Sequence, residues 1–262
     1  MQLDKNSTSK FALVISLAAA LTCGGIWPLS KSERAQAKDS NATMRSKQGT
    51  EARSLLKKMH DNLRSRRDLQ FTASLNETDT VLGQKLTGTA NFSIRQPNLF
   101  RVEVTRSGQR TIFVSDGKTL SIYKPKKRKF ARVPAQDSVL GTMYSAAGLM
   151  NIPGRILDFF WTVDYLAKFD EAVRSEAIPS ARLAGRTCQG IRVVRMQDRF
   201  DIWMDPAFPH LPCKLISRRT DGAGEVVFTN VFKWTKSPDF ERSTFVFSPP
   251  AGVREAAPLD LE

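Results

Sequence analysis

The chain has 262 residues and a formal net charge of +14 at pH 7. Hydrophobic residues make up 41% and charged residues 25%, which is ordinary for a folded protein and argues against a wholly disordered chain. The length suits one well-cored domain or two small ones. The excess of cations favours anionic partners.

The N-terminus reads as an export signal. A basic start, MQLDKNSTSK, precedes the apolar run FALVISLAAALTCGGIWPL and an A-x-A motif that ends at Ala37. This order is typical of a secretory signal peptide covering residues 1–37 and predicts a periplasmic protein. The alternative is an uncleaved membrane anchor, because the segment from Phe11 to Leu29 approaches the ~20 residues of a span, although glycines and a proline interrupt it. Lipidation at Cys23 has a poor sequence match.

After the signal, a polar stretch is followed by apolar residues at helical spacing and then by apolar residues at every second position. Residues 38–49 are polar and predict a disordered lead-in. From Thr50 to Ser65 apolar side chains recur at helical spacing, which predicts one amphipathic helix. From Asp68 the period is two, and turn residues separate short strands of an antiparallel meander. These strand segments are LQFTASLNETD, KLTGTANFSIR, NLFRVEVTR, RTIFVSD, KTLSIYK and KFARV.

One hairpin in this meander contains a basic run. Asp116 and Gly117 predict a two-residue turn, because Asp-Gly tolerates the positive φ angles that such turns require. The following PKKRK, residues 125–129, has the composition of a nuclear address or a nucleic-acid patch. In an exported chain we interpret it as a solvated hairpin tip instead. Aromatic residues flank this run without alternating with it, so it does not predict a nucleic-acid stacking platform.

A helical segment interrupts the strands. Residues 137–169 are rich in Leu, Met and aromatics and are broken by Pro153 and Gly154, which predicts two short helices. Strands resume near Arg182 with CQGIRVVRM, FDIWMD, CKLISRR, GEVVFTNVFKW and FVFSPP. The tail, 251–262, is expected to be loosely ordered. With no repeat and no linker, residues 50–250 predict a single domain.

The cysteines fit an oxidising compartment. Once the signal is removed, only Cys188 and Cys213 remain, and both lie in strand-like segments. We expect a disulfide between them, with two buried free thiols as the alternative. His60 and His210 stand far apart without ligand-spaced neighbours, so the sequence predicts no metal site and no cofactor.

Enzymatic chemistry finds little support. The chain contains no G-x-S-x-G nucleophile elbow and no glycine-rich phosphate loop. His210 and the nearby Asp205 resemble a base and its orienting carboxylate, but no activated nucleophile accompanies them. We therefore predict a protein that is not an enzyme.

Four motifs, together with the order of the elements, carry a family resemblance. The motifs are RQPNLFRVEV (95–104), SDGKTLSIYKP (115–125), GIRVVRMQDRFDIWMDPAFPHLPCKL (190–215) and FVFSPPAG (245–252), which together span most of the mature chain. In this order they resemble the LolA-like half-barrel superfamily, which includes the periplasmic lipoprotein carrier, the outer-membrane lipoprotein receptor and a lipid-binding regulator of envelope stress. The chain looks most like an uncharacterised branch of predicted periplasmic proteins in this group.

The resemblance implies a mainly β (α+β) fold. A strongly curved antiparallel sheet would form a half-barrel, with the N-terminal helix and the mid-chain insertion covering its concave face. The implied function is binding of a lipid acyl chain or another hydrophobic ligand, in lipid or lipoprotein transport or in envelope sensing. The alternative is a protein-interaction module that uses the concave apolar face.

Two sets of residues are the site candidates. The apolar residues of the insertion would line the cavity or its lid: Leu140, Met143, Leu149, Met150, Ile156, Leu157, Phe159, Phe160 and Trp161. Acyl chains need no directional partners, so adaptable Met and aromatic side chains suffice. Lys126, Lys127 and Arg128 would contact an anionic membrane surface. We expect a monomer that does not bind nucleic acid.

Overall fold

A computed structural model describes residues 49–147, 174–195, 197–207 and 210–261. One large curved open sheet of twelve strands dominates these residues. In chain order the strands are β1 (Asp68–Asp79), β2 (Gln84–Arg95), β3 (Leu99–Arg106), β4 (Gln109–Asp116), β5 (Thr119–Lys124), β6 (Lys129–Pro134), β7 (Arg174–Leu183), β8 (Arg186–Arg195), β9 (Asp198–Asp205), β10 (Leu211–Asp221), β11 (Gly224–Trp234) and β12 (Arg254–Glu255).

The sheet is built from two meanders joined at their first and last strands. Its spatial order is β12-β6-β5-β4-β3-β2-β1-β11-β10-β9-β8-β7. Antiparallel pairing of β1 with β11 joins the meanders, while β12 adds to β6 in parallel. The predicted mainly β half-barrel is therefore confirmed.

Two helices accompany the sheet in the described residues. The first, α1, covers residues 49–65 and confirms the predicted N-terminal helix. Its buried side chains are Ala52, Leu56, Met59 and Leu63. These positions repeat every three to four residues, so they form one stripe that packs into the core of the sheet. The second helix, α2 (Val139–Ala147), belongs to the mid-chain insertion.

Four aromatic rings form the centre of the core beside α1. Phe71 on β1 stacks on Phe92 of β2 with ring centroids 4.4 Å apart. It also lies 4.4 Å from the ring of Trp234 and 6.0 Å from that of Phe232, both on β11. The indole N–H of Trp234 donates to the carbonyl of Pro212 at 2.8 Å, which satisfies its polar atom. This cluster therefore packs the two meanders together at their junction.

The turn between β4 and β5 differs from the prediction by one residue. Asp116 is the last residue of β4, and Gly117 and Lys118 make the connection. The carboxylate of Asp116 accepts the N–H groups of Lys118 and Thr119 at 2.9 and 2.8 Å. Gly117 has φ +90°, which a residue with a Cβ rarely adopts. Asp116 therefore closes the turn with its side chain rather than occupying its first position.

The basic run forms the tip of the β5–β6 hairpin, as predicted. Pro125–Lys127 make a short 3₁₀ turn, and Arg128 follows in the left-handed region with φ 52°. The N–H of Arg128 donates to the carbonyl of Pro125 at 3.0 Å, which closes the tip. Lys126, Lys127 and Arg128 are all exposed.

The second meander begins earlier than predicted. Strand β7 starts at Arg174, not near Arg182, and its pairing with β8 is interrupted between Ile178 and Ala181. Pro179 lies in that interruption and weakens the sequence signal, because proline cannot donate a hydrogen bond to the ladder. The strand tolerates Pro179 because it is the edge of the sheet.

The C-terminal segment also corrects the prediction. FVFSPP is not a strand: Arg242–Phe245 form a 3₁₀ turn, and two prolines follow. The Phe247 ring packs instead on Tyr123 and Phe130, at 5.7 and 5.3 Å. The tail expected to be loose adds β12 to the edge of β6, and its Leu261 side chain is fully buried in the core.

Cys188 and Cys213 form the predicted disulfide, which links β8 to β10. Their Cα atoms lie 6.6 Å apart, and Cys188 is fully buried. Strand β9 pairs with both of these strands. The bridge therefore fixes a three-stranded part of the second meander.

Candidate functional site: the concave face of the sheet

The strand register aligns side chains in rows across the face of the sheet that packs on α1, here called the concave face and its opposite the convex face. The rows form because paired residues of neighbouring strands point to the same side. One row, here called the core row, crosses five strands and comprises Leu75, Asn230, Leu215, Ile202 and Ile191. Each of these side chains is at most 9% exposed. The core row is therefore part of the packed interior and offers no surface to a ligand.

The neighbouring row is more open. It comprises Leu86, Glu77, Phe228, Ser217 and Phe200, and is here called the rim row. Leu86, Phe228 and Phe200 are half-buried, and Ser217 is buried. Half-buried apolar side chains on a curved sheet face are a surface on which an apolar ligand can lose contact with water. The rim row is the part of the described concave face that best fits such a ligand.

An ion pair joins Glu77 of the rim row to β3. The guanidinium of Arg106 on β3 donates to the carboxylate of Glu77 on β1, and each side chain is 24% exposed. Arg106 pairs with Gly88 of β2, where a Cβ would stand 2.3 Å from the carbonyl oxygen of Thr105. Gly88 thus allows the backbones of β2 and β3 to approach closely next to the Arg106–Glu77 pair. The concave face changes from apolar at the aromatic core to charged at this row.

The predicted lid residues divide into two groups. Met143 on α2 is 3% exposed and belongs to the main core cluster, and Leu140 is half-buried. The remaining candidates lie outside the described residues: Leu149, Met150, Ile156, Leu157, Phe159, Phe160 and Trp161. Met143 packs α2 onto the sheet, so its present contact is structural.

A family model described as "Predicted periplasmic protein (DUF2092)" matches residues 52–257, which is most of the chain and all of the described sheet. The chain belongs to this DUF2092 family. The branch of predicted periplasmic proteins that the sequence motifs indicate is therefore confirmed.

Comparison with individual proteins gives shorter or more distant matches. A 78-residue segment of the DUF2092 protein is 34% identical to the outer-membrane lipoprotein carrier protein of Glaesserella parasuis serovar 5 (strain SH0165). That segment covers 29% of this chain and 37% of the carrier, so the chain spans little more than a third of the relative's length.

Solved structures with a similar fold include LprF from Mycobacterium bovis, at 11% identity and a TM-score of 0.45 over 73% of this chain and 95% of LprF. A LolA superfamily protein from Nitrosomonas europaea is 12% identical, with a TM-score of 0.35 over 75% of this chain and 97% of its own. At these identities the likeness concerns the fold alone.

The clearest electrostatic cluster of the DUF2092 protein lies on the opposite, convex face. Burial of Asp201 would raise the pKa of its carboxyl, but hydrogen bonds from Arg192 and Arg199 outweigh burial and lower that pKa below its ordinary value. Glu103 follows the same pattern: burial opposes ionisation, and hydrogen bonds from Arg110 and Arg101 lower the pKa overall. Each carboxylate is paired with one arginine on its own strand and one on a neighbouring strand, which is a structural arrangement.

The two histidines lie on different elements, each beside an aspartate. The backbone N–H of His210 donates to the Asp205 carbonyl, while the Asp205 carboxylate accepts from Arg186 and from the N–H of Ala207. His60 lies on α1 beside Asp61. Within the described ranges, no three His, Cys, Asp or Glu residues are grouped as metal ligands would be.

No helix in the described part of the chain is long and apolar enough to cross a bilayer. Sequence reasoning did not single out Glu77, Arg106, Leu86, Phe200 or Phe228 as site residues. The alternating pattern predicts that Phe228 and Phe200 face one side of a strand, but which strands lie next to each other depends on the β1–β11 pairing. That pairing joins residues 145 or more positions apart and has no local sequence signal.

Proposed function

We propose that this DUF2092 protein is an exported, non-enzymatic binding protein that holds an acyl chain or another hydrophobic ligand against its concave face. The rim row carries the proposal, because it presents half-buried Leu86, Phe228 and Phe200 next to a fully packed core. The family description, predicted periplasmic protein, supports the compartment. The segment similar to a lipoprotein carrier supports an acylated cargo.

The energetics suit a chain-like ligand. Each methylene transferred from water to an apolar surface contributes about 0.8 kcal/mol, so a contact of six to eight methylenes supplies roughly 5–6 kcal/mol before the costs of association. An acyl chain needs no hydrogen-bond partner along its length. The Glu77–Arg106 pair at the rim row would face the polar end of an amphiphile, whereas the aromatic core lies towards its apolar end.

The lid belongs to the same proposal. Leu140 on α2 is half-buried. The chain after α2 contains the other predicted lid residues, which lie between Leu149 and Trp161. We assign these side chains the role of covering the bound chain. Pro153 and Gly154 interrupt the sequence of this segment, which is the composition expected of a cover that opens for a long ligand.

The test begins with native mass spectrometry of the protein purified gently from the envelope, followed by organic extraction of what it releases. A discrete added mass that extracts as a phospholipid, a lipopolysaccharide fragment or an acylated peptide would support the proposal and identify the cargo class. A clean apo mass, together with no uptake of a fluorescent fatty acid, would overturn it and favour a protein-interaction module.

A pair of variants on β11 separates the site from the fold. Phe228→Glu puts a charge in the rim row and should lower fatty-acid affinity at least tenfold. Val231→Glu makes the same kind of change on the convex face, where the side chain is already 37% exposed, and should leave affinity unchanged. Equal losses in both variants would contradict the assignment to the concave face. Phe160→Glu tests the predicted lid with the same assay. If this variant still takes up the fatty acid, the assignment of Phe160 to a lid is wrong.

A further inference from the structure

The antiparallel register brings several turns to one end of the sheet, here called the tip end. The β1–β2, β3–β4 and β5–β6 turns all lie there, because successive strands reverse direction. The β10–β11 turn reaches the same end, since the start of β11 pairs with the end of β1. The tip end is therefore a stepped set of hairpin tips, in which the β3–β4 and β5–β6 tips lie several residues below the β1–β2 and β10–β11 tips.

Two apolar side chains project from the tip end. Val81 and Leu82 occupy the β1–β2 turn and are 48% and 65% exposed. Their backbone is held firmly, because the N–H groups of both residues donate to the Asp79 carboxylate at 2.9 Å. Thr80 exchanges hydrogen bonds with Glu225 at the start of β11, at 2.8 to 3.0 Å. The turn therefore presents these two side chains to solvent in a fixed conformation.

A cluster of positive charge stands on the same end. Lys126, Lys127 and Arg128 are exposed at the β5–β6 tip. Among the carboxylates of the described residues, none lies within ion-pair distance of these three groups. The β2 and β5 strands are three strand spacings apart, about 14 Å across the sheet. The register aligns Tyr123 with Asn91 and Thr72, so the basic tip also lies roughly 17 Å short of the β1–β2 turn along the strand direction. Both groups can reach one plane when the strands are inclined to it.

We propose that the tip end docks on an anionic lipid bilayer. Val81 and Leu82 enter the interface between head groups and acyl chains, while Lys126, Lys127 and Arg128 lie on the anionic head groups. The combination of exposed apolar and exposed basic side chains favours a bilayer over a soluble polyanion as the partner. Soluble polyanions would neutralise the lysines but offer no apolar phase for two adjacent exposed aliphatic side chains, whereas a bilayer offers both.

Docking in this way would also bring the rim row of the concave face close to the bilayer. Glu77 and Leu86 of the rim row lie within three residues of the β1–β2 turn. A bilayer against the tip end would therefore meet the rim row before the aromatic core. Membrane docking does not require that a ligand be bound, so its test is independent of the proposed function.

The experiment is vesicle flotation of the full chain purified from the envelope, at low and high salt. The probe is a vesicle of phosphatidylglycerol and phosphatidylethanolamine, compared with one of phosphatidylcholine alone. Replacing Lys126, Lys127 and Arg128 with Gln should weaken binding to the anionic vesicle on the order of 100-fold at low salt. Val81→Ser with Leu82→Ser should weaken it roughly tenfold at either salt concentration.

Matched controls remove the same groups from other surfaces. Lys118→Gln, Lys233→Gln and Lys236→Gln delete three exposed charges at or near the opposite end of the sheet and should leave binding within twofold. Val246→Ser with Leu259→Ser removes two exposed apolar side chains of the C-terminal segment and should also have little effect.

Two results would overturn the proposal. In the first, the tip-end variants and their controls float equally well. In the second, the variant with Val81→Ser and Leu82→Ser floats with the anionic vesicle as well as the parent protein does. If the variant without the three basic residues then also loses binding to soluble dextran sulfate, the basic tip is a general polyanion site.

Discussion

The Cys188–Cys213 bridge leads to a quantitative prediction about stability. The two cysteines are 25 residues apart, and closing a loop of that length in the unfolded chain is worth roughly 3 kcal/mol in the loop-entropy description. For a domain of this size, such a loss corresponds to a fall in melting temperature of roughly 6–12 °C. We therefore expect reduction to lower the free energy of unfolding by about this amount without removing the fold.

Reduction of the wild-type protein is the cleanest perturbation, because both sulfur atoms stay in place and the packing around buried Cys188 is retained. The assay is urea unfolding followed by tryptophan fluorescence, with and without dithiothreitol. The reduced chain should also show a larger dependence of unfolding free energy on urea, since its unfolded ensemble exposes more surface. A double variant, Cys188→Ala with Cys213→Ala, is the control and should not respond to dithiothreitol.

Two outcomes would refute the reasoning. If reduced and oxidised proteins unfold at the same urea concentration, the bridge does not restrict the unfolded chain. If stability falls while the urea dependence stays the same, the bridge acts through native contacts and the loop-entropy description is wrong.

Three further predictions concern the sheet. Phe71→Ala should cost about 3–5 kcal/mol in chemical unfolding, because the side chain is 2% exposed and contacts three other rings. Asp201→Asn should cost about 2 kcal/mol at neutral pH, since it removes the charge that Arg192 and Arg199 hold. The pKa of Asp201 is lowered by folding, so its contribution is complete above about pH 4 and is lost as pH falls further; pH-dependent unfolding of the variant should lack this part. Asp116→Ala should cost about 1 kcal/mol by removing two turn hydrogen bonds, measured as a shift in urea midpoint; an unchanged midpoint would contradict its assigned role.

Local patterns predicted the elements whose signals are local. The stripe of Leu56, Met59 and Leu63 indicated α1, and strict alternation indicated β1–β6 to within a residue or two. The β4–β5 turn was placed one residue early, because Asp-Gly is favourable both inside a turn and at the position just before it. The pattern cannot separate these cases without the pairing of Ser115 with Leu120.

The parts that failed depend on tertiary contacts. Phe247 lies in a sequence that alternates like a strand, but its ring packs on the hairpin formed by β5 and β6 instead of joining a ladder. Leu261 carries no clear sequence signal for burial, since both adjacent residues, Asp260 and Glu262, are acidic. The rim row was missed for a related reason: its members come from five strands and meet only through the β1–β11 junction.

The β1–β11 junction has a consequence for the order of folding. Strand β1 is synthesised before the other strands of the sheet, yet one of its two hydrogen-bonding edges pairs with residues that lie 145 or more positions later in the chain. Until those residues are available, the first meander exposes an unpaired strand edge and the aromatic core lacks its β11 rings. The sheet can therefore close only after most of the polypeptide has been made, which delays completion of the core.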